Sequence, residues 1–464
     1  MILAPLAFAE QDIEDPSQIT ILDSKVVQSG GVAVSGQSIQ WVKLNITLPQ
    51  NKEYQTTSNK ADYALDEYEN SIMVYEEEKP SNAVYYSLES IVQTKSRRTH
   101  TLPGSYTVPE NVRKYINPSA NIQSDNERII QHAKKISENK NSDFEKIAAL
   151  ASYVHNNTEY IESFGTSSKD ALWVFENKVG TCDEYSSLFI ALARALGYPA
   201  RYITGYAYGD KGWTPHAWAE VYLGVWVPVD ATWLEVGWLD GTHIEFHASG
   251  TNRVENTAEI YGVSAKIDKW LPGETTIETQ DYTLQEKDSG YSLLQTADVL
   301  EPGETSIVVL KIIPSEYAVL EVSLVPCKSE KPIVSIENRE RETVLVPGEE
   351  TILWWHVTAE NNLQKNIIYT CPLVLNSRLL GVRKVNITVD TSGQDETSVN
   401  LFAELQSPIL SAGDAQTVFA TAERVKGLEG HVIGFVSKDG YTEKEVSESS
   451  TSAEFSFTPK NTGI

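Results

Sequence analysis

From Ile19 to Leu88 apolar and polar residues alternate, as in Ile39-Gln-Trp-Val-Lys-Leu-Asn-Ile-Thr-Leu48 and Ala83-Val-Tyr-Tyr-Ser-Leu88, and Val, Ile, Thr and Tyr are frequent. A period of two in β-branched and aromatic residues predicts strands that bury one face. Near Pro103 the period changes. Asn126 to Ser137 and Asp143 to Asn156 carry helical spacing, and in the second Ile147, Leu150, Ala151 and Val154 form one stripe behind Ser142 or Asp143 as N-cap. A third helix is predicted over about Lys169 to Glu176. A fourth, marked by Leu188, Leu192, Ala195 and Leu196, stops at Gly197, the residue type that accepts a left-handed helix end. Strands follow at Ala200 to Tyr206, His216 to Leu223 and Val225 to Val229.

Beyond about Gly262 the helical spacing ends. Pro272-Gly-Glu-Thr275, Pro302-Gly-Glu-Thr305 and Pro347-Gly-Glu-Glu-Thr351 each precede a β-rich run, and their spacings of 30 and 45 residues are too uneven for a solenoid. They predict inter-strand turns within immunoglobulin-like β-sandwiches. A polar break, Asp390-Thr-Ser-Gly-Gln-Asp-Glu396, then introduces a last β module. The expected division is a signal-peptide remnant at 1–9, an N-terminal β domain at 10–100, a mixed core at 101–262, a sandwich at 263–392 and a second β module, cut short, at 393–464.

Charge narrows the partners. Over 464 residues, 64 Asp and Glu against 38 Lys and Arg give a net charge of −26, which repels nucleic acid and anionic membranes. No run after Glu10 reaches the roughly twenty apolar residues of a membrane span. The start, Met1 to Ala9, is apolar and ends in Ala7-Phe-Ala9, as at a secretory cleavage site, and sequons stand at Asn45, Asn156 and Asn386. The expected location is therefore secreted or at the cell surface.

There are three cysteines. Cys327 and Cys371, 44 residues apart in strand-like settings, are expected to form a disulfide, the alternative being two buried thiols. Cys182 follows Val179-Gly-Thr181 in the first turn of the fourth helix, where unpaired N–H groups and the helix dipole favour a thiolate and a developing oxyanion. Such a thiol needs a base, and the base an orienting group. His216 opens one strand and Asp230 ends the next, each about seven residues from Gly224. A hairpin centred there puts both at one end.

The blocks Gly180-Thr-Cys-Asp-Glu-Tyr-Ser-Ser-Leu188, Ala191-Leu-Ala-Arg-Ala-Leu-Gly-Tyr-Pro-Ala-Arg201, His216-Ala-Trp-Ala-Glu-Val221 and Trp226-Val-Pro-Val-Asp230 closely resemble the transglutaminase-like superfamily, in a secreted prokaryotic or archaeal form. The resemblance covers about Pro103 to Gly262. It implies a multidomain α+β and all-β chain: a papain-like transglutaminase core flanked by an N-terminal β domain and C-terminal immunoglobulin-like β-sandwiches. It implies Cys182 as nucleophile, His216 as general base and then acid, and Asp230 as orienter, acting on a protein or peptide substrate by hydrolysis or cross-linking. It also implies an oxyanion donor upstream, for which Tyr160 and Trp173 are candidates. Six of the ten Trp lie between Trp173 and Trp238, and Trp213, Trp218 and Trp233 are expected as a wall round the thiol, the first two as substrate-binding. The competing class is a non-catalytic surface module with a degenerate triad.

No metal or other cofactor is expected. His243-Ile-Glu-Phe-His247 would set three ligand types on one strand face, but no fourth ligand stands out, and a solvated face is the expectation. The acidic stretch Asp62 to Glu78 would bind Ca2+ weakly at most.

Overall fold

The computed structural model describes residues 13, 15–58, 63–162, 168–251, 256–285, 290–392, 400–405, 415–423, 431–437, 440–446 and 452–458. The expected signal-peptide remnant lies outside them. No described helix is long and apolar enough to cross a membrane.

The four predicted helices form, and their caps explain where. Helix α1 is Glu127–Ser137, with the Asn126 side chain accepting from Arg128 N at 3.0 Å. Helix α2 is Asp143–Asn157. Ser142 Oγ accepts from Glu145 N at 3.1 Å while the Glu145 carboxylate accepts from Ser142 N at 2.9 Å, a reciprocal cap. Helices α3 (Ala171–Asn177) and α4 (Cys182–Ala195) follow. The α2 stripe packs in one apolar core with Leu188, Phe189 and Leu192 of α4 and with Ala217, Ala219 and Val221 of the sheet. That sheet is antiparallel, in the order 235–236, 226–230, 212–222, 200–209, 244–249.

The N-terminal β region is a two-sheet sandwich, and its composition corrects the boundary expected at 262. Strand Thr257–Val263 pairs with Ser38–Thr47, and the long strand Lys266–Leu284 pairs with Ile19–Ser35. Both therefore complete the first sandwich, and the helical core is an insertion between its strands. Val32, Val34, Val42, Leu44, Ile46 and Val84 fill the space between the two sheets. Pro272-Gly273, expected as a turn, lies inside the long strand where the register slips opposite Gly30. A bulge is where a strand tolerates a proline that cannot donate to the ladder. The other two Pro-Gly pairs are turns, with Gly303 and Gly348 at φ +86° and +76°.

Residues 291–390 form the downstream sandwich, one sheet of four strands and one of five, round Leu310, Leu320, Trp355 and Leu373. The Cys327–Cys371 disulfide is present. Cys327 follows the strand Ala318–Val325, whose Val325 pairs with Val374, so the bridge joins neighbours in one sheet rather than crossing the sandwich. Farther on, Asn400–Leu405, Gln416–Glu423 and Ser452–Phe457 make a three-stranded sheet, and His431–Ser437 pairs with Gly440–Val446.

Candidate active site

Cys182 is the first residue of α4 and is partly exposed. The start of this helix is fixed by Glu184, whose carboxylate accepts from Thr181 N at 2.9 Å and from Thr181 Oγ1 at 2.7 Å. Amides in this first turn lack carbonyl partners within the helix, so they face whatever approaches the sulfur. Gly180 is required by close approach, because a Cβ there would lie 2.3 Å from Glu184 Cβ.

One turn along α4, Ser186 Oγ donates to Ala217 O at 3.0 Å. That buried bond ties the helix to the residue beside His216, which fixes the spacing of thiol and imidazole. His216 Nε2 meets Asp230 Oδ2 at 2.7 Å. The hairpin does this much as predicted: Ala219 pairs with Val229 and Tyr222 with Trp226, with Gly224 at φ +85° in the turn. Because an ionised carboxylate only accepts, Nε2 carries the proton, and the nearby Cys182 sulfur acts electrostatically on the same ring. Burial opposes the charged imidazole, yet the Asp230 charge, its hydrogen bond and the sulfur push His216 up to about 10. Burial opposes Asp230 as well, and His216 and then His243 hold it far below the usual carboxylate range. Its other oxygen accepts from Thr232 N at 2.8 Å and Trp233 N at 3.3 Å.

This order of helix, sulfur, strand and carboxylate coincides with a family match over residues 130–231. The family model matched is that of the transglutaminase-like superfamily. Among relatives, the uncharacterized protein YebA of Bacillus subtilis is 30% identical over 128 residues, 23% of this chain and 17% of that protein. The chain thus spans about a sixth of that relative's length. A candidate cysteine protease structure from Cytophaga hutchinsonii aligns with 58% of this chain and 96% of its own, at 20% identity and TM-score 0.42. The periplasmic domain of TgpA from Pseudomonas aeruginosa aligns with 50% of this chain and 95% of its own, at 16% identity and TM-score 0.29.

Within the transglutaminase-like core, Tyr160 reaches the site by strand pairing. Glu159–Tyr160 runs parallel to Val179–Gly180, setting Tyr160 opposite Gly180, two residues before the cysteine. Burial first, and the Cys182 charge second, push its phenol up to about 12, so it remains a donor. Trp173 instead packs from α3 against the helical core, with Lys169 Nζ 5.8 Å from its ring.

The tryptophan wall is corrected in two places. Trp218 is 1% exposed, its ring 6.1 Å from His216 and edge-on to His243 at 5.2 Å, so it backs the imidazole and offers substrate no surface. Residues 216 and 218 share a face of their strand, which puts both inside. Trp213 donates through Nε1 to Thr279 Oγ1 at 3.2 Å and packs against Tyr208, at the seam with the N-terminal sandwich. Trp233 does lie at the site, stacked on His216 at 4.5 Å.

His243, Glu245 and His247 are neither solvated nor convergent. All three are buried. His247 Nε2 meets Asp66 Oδ2 at 2.7 Å, Tyr54 donates to Glu245, and His243 turns to the site. Sequence reasoning missed what His243 does there: Nδ1 bonds Asp240 Oδ1 at 3.1 Å and Nε2 lies 3.5 Å from Asp230 Oδ2. Ligand atoms of His216, Asp230 and His243, and of Glu235, Asp240 and His243, lie within 4.8 Å of one another, spacing that suits a metal ion. The second set already has a cation, however, since Arg378 binds Glu235 and Asp240. The density of titratable residues from Asp230 to His247 was a usable signal. Nothing local marked Arg378.

Proposed function

We propose that the transglutaminase-like core is a thiol-dependent acyl-transfer enzyme acting on peptide or glutamine amides outside the cytoplasm. The observation that carries this is the buried 2.7 Å His216–Asp230 bond on an imidazole that the nearby Cys182 sulfur also influences. With Asp230 fixing the ring, the Cys182 sulfur attacks the amide carbonyl carbon. In this reading the first-turn amides of α4 and the Tyr160 hydroxyl take the negative oxygen. As the C–N bond breaks, His216 gives its proton to the leaving amine, and a thioester remains on Cys182. Water or an amine then attacks, losing its proton to His216, and the thiol is regenerated. The disulfide favours an oxidising compartment, consistent with export.

The test is to offer a glutamine-containing protein with and without a fluorescent amine, beside Cys182→Ala. Amine incorporation or release of ammonia or peptide, lost in the variant, is expected. No turnover of any amide, together with inert Cys182, would favour a non-catalytic module.

A further inference from the structure

Arg378 belongs to the downstream sandwich, at the end of strand Ile368–Ser377, yet its guanidinium enters the core. Nε and Nη2 both donate to Glu235 Oε1, at 2.8 and 2.7 Å, and Nη2 also meets Asp240 Oδ2 at 3.2 Å. Both carboxylates are buried. Asp240 then holds His243, whose other nitrogen faces Asp230. Glu235 and Asp240 also hold each other, Asp240 N donating to Glu235 Oε2 at 3.2 Å.

A second path runs through an aromatic ring. The Arg378 guanidinium carbon lies 4.6 Å from the Trp233 ring centre, and the same indole stacks on His216 at 4.5 Å. Trp233 also donates its backbone N–H to Asp230. One side chain from another domain thus reaches both supports of the imidazole: the orienting Asp230 through Asp240 and His243, and the covering Trp233 ring directly.

We infer that Arg378 is a positioning residue, through which the downstream sandwich holds Asp230 and His216 in their working geometry. This rests on the thiol-enzyme reading for its activity consequence, though not for the contacts. Charge supports it. Asp230, Glu235 and Asp240 are three buried carboxylates, and two histidines with Arg378 supply the matching positive groups, so removing the guanidinium leaves Glu235 and Asp240 facing each other without it. Burial and the Asp240 charge already push Glu235 up to about 7 against the pull of Arg378. Once Asp240 takes a proton, its hold on His243 weakens, and with it the contact that keeps His243 turned to Asp230.

Arg378 is also reachable. It lines a groove of about 370 Å3 with Asp15, Glu321 and Glu340, acidic residues that would draw a small cation in. The experiment therefore uses Arg378→Ala in the full chain, with methylguanidinium as the added probe. Two quantities are read: the rate of Cys182 alkylation by iodoacetamide at pH 6, and the downfield imidazole N–H resonances of His216 and His243. A loss of about tenfold in rate and of the His243 resonance is expected, both largely restored by methylguanidinium and not by sodium chloride. Arg341→Ala, in the same sandwich but bonded to Asn338 O, Glu340 O and Trp354 O, is expected to change neither. Unchanged resonances and rate, or a loss that methylguanidinium leaves in place, would overturn the inference. If Arg378→Ala does not fold, Arg378→Lys carries the test, because one ammonium cannot replace two nitrogens on Glu235; wild-type values there would overturn it equally. Wild-type protein whose Cys182 behaves as an ordinary thiol contradicts the enzyme reading alone, and the resonances still decide the role of Arg378.

Discussion

The two sandwiches flank the same core and relate to it differently. The first is interrupted by it: chain leaves after Ala83–Lys95 and returns at Thr257–Val263, so strand pairing on both sides clamps the core's ends. Its seam is buried and mixes apolar packing, Val26, Val92 and Ile277 against Ile244 and Phe246, with an ion pair in which Glu220 is held by Arg97 and Arg201 and pulled down to about 2 against the cost of burial. The second follows the core in sequence, is stapled by a disulfide, and touches the site with Arg378. The difference teaches that position is fixed by backbone topology on one side and site geometry by a side chain on the other.

The comparison leaves the chemistry to the core alone, and the largest effect should lie there. Asp230→Asn should lower turnover by about 10³–10⁴-fold, because an amide offers the ring the wrong partner, while both sandwiches melt as before. Asp183→Asn, whose carboxylate accepts from Tyr202 at 2.7 Å, should cost far less. Steady-state kinetics with circular dichroism checks both, and an active Asp230→Asn protein would remove that residue from the mechanism.

Next comes the staple. Cys327→Ser should destabilise the downstream sandwich by about 2–4 kcal/mol and leave the first untouched, as limited proteolysis during heating would show. Thiol titration of unreduced, denatured wild type should find the single free cysteine, Cys182; three would refute the bridge.

A smaller effect concerns pH. His216 and His243 are held at about 10 and about 9 in the fold, above the 6.5 of a free imidazole. A raised pKa means the fold binds the proton more tightly, so this stabilisation is full below about pH 6.5 and is lost as pH rises through 9 to 10. The melting temperature of the core should therefore fall between pH 7 and 10, less steeply in His243→Asn. A flat profile would mean that the buried pairs are not charged.

The mildest change tests the first seam. Thr279→Val removes the acceptor of Trp213 and should cost about 1 kcal/mol, with Cys182 alkylation unaltered. Slowed alkylation would return Trp213 to the site.

What the sequence made legible was local. Asn126 and Ser142 announced helix starts because their side chains bond amides two or three residues away, and Gly197 and Gly224 marked reversals through positive φ. The cysteine, histidine and carboxylate could be placed from one helix start and one hairpin. What stayed hidden was long-range. Pairing of Ile19–Ser35 with Lys266–Leu284 spans more than two hundred residues and leaves no pattern different from that of any other strand. The strand Ile244–Ser249 alternates types as a half-exposed strand does, yet all six residues are buried, because the first sandwich covers the second face. Arg378 sits in a strand end with no motif, and only the fold brings it 138 residues back to Asp240.

The central claim is that Cys182 is a nucleophile stabilised by a charged His216. The most direct test is the rate of iodoacetamide alkylation of Cys182 in the full chain from pH 5 to 9, beside His216→Asn. With the imidazolium beside the sulfur, the wild-type rate should exceed that of the variant throughout this range, most at its acid end. Parallel profiles in the two proteins, both rising as an isolated thiol does, would contradict the account.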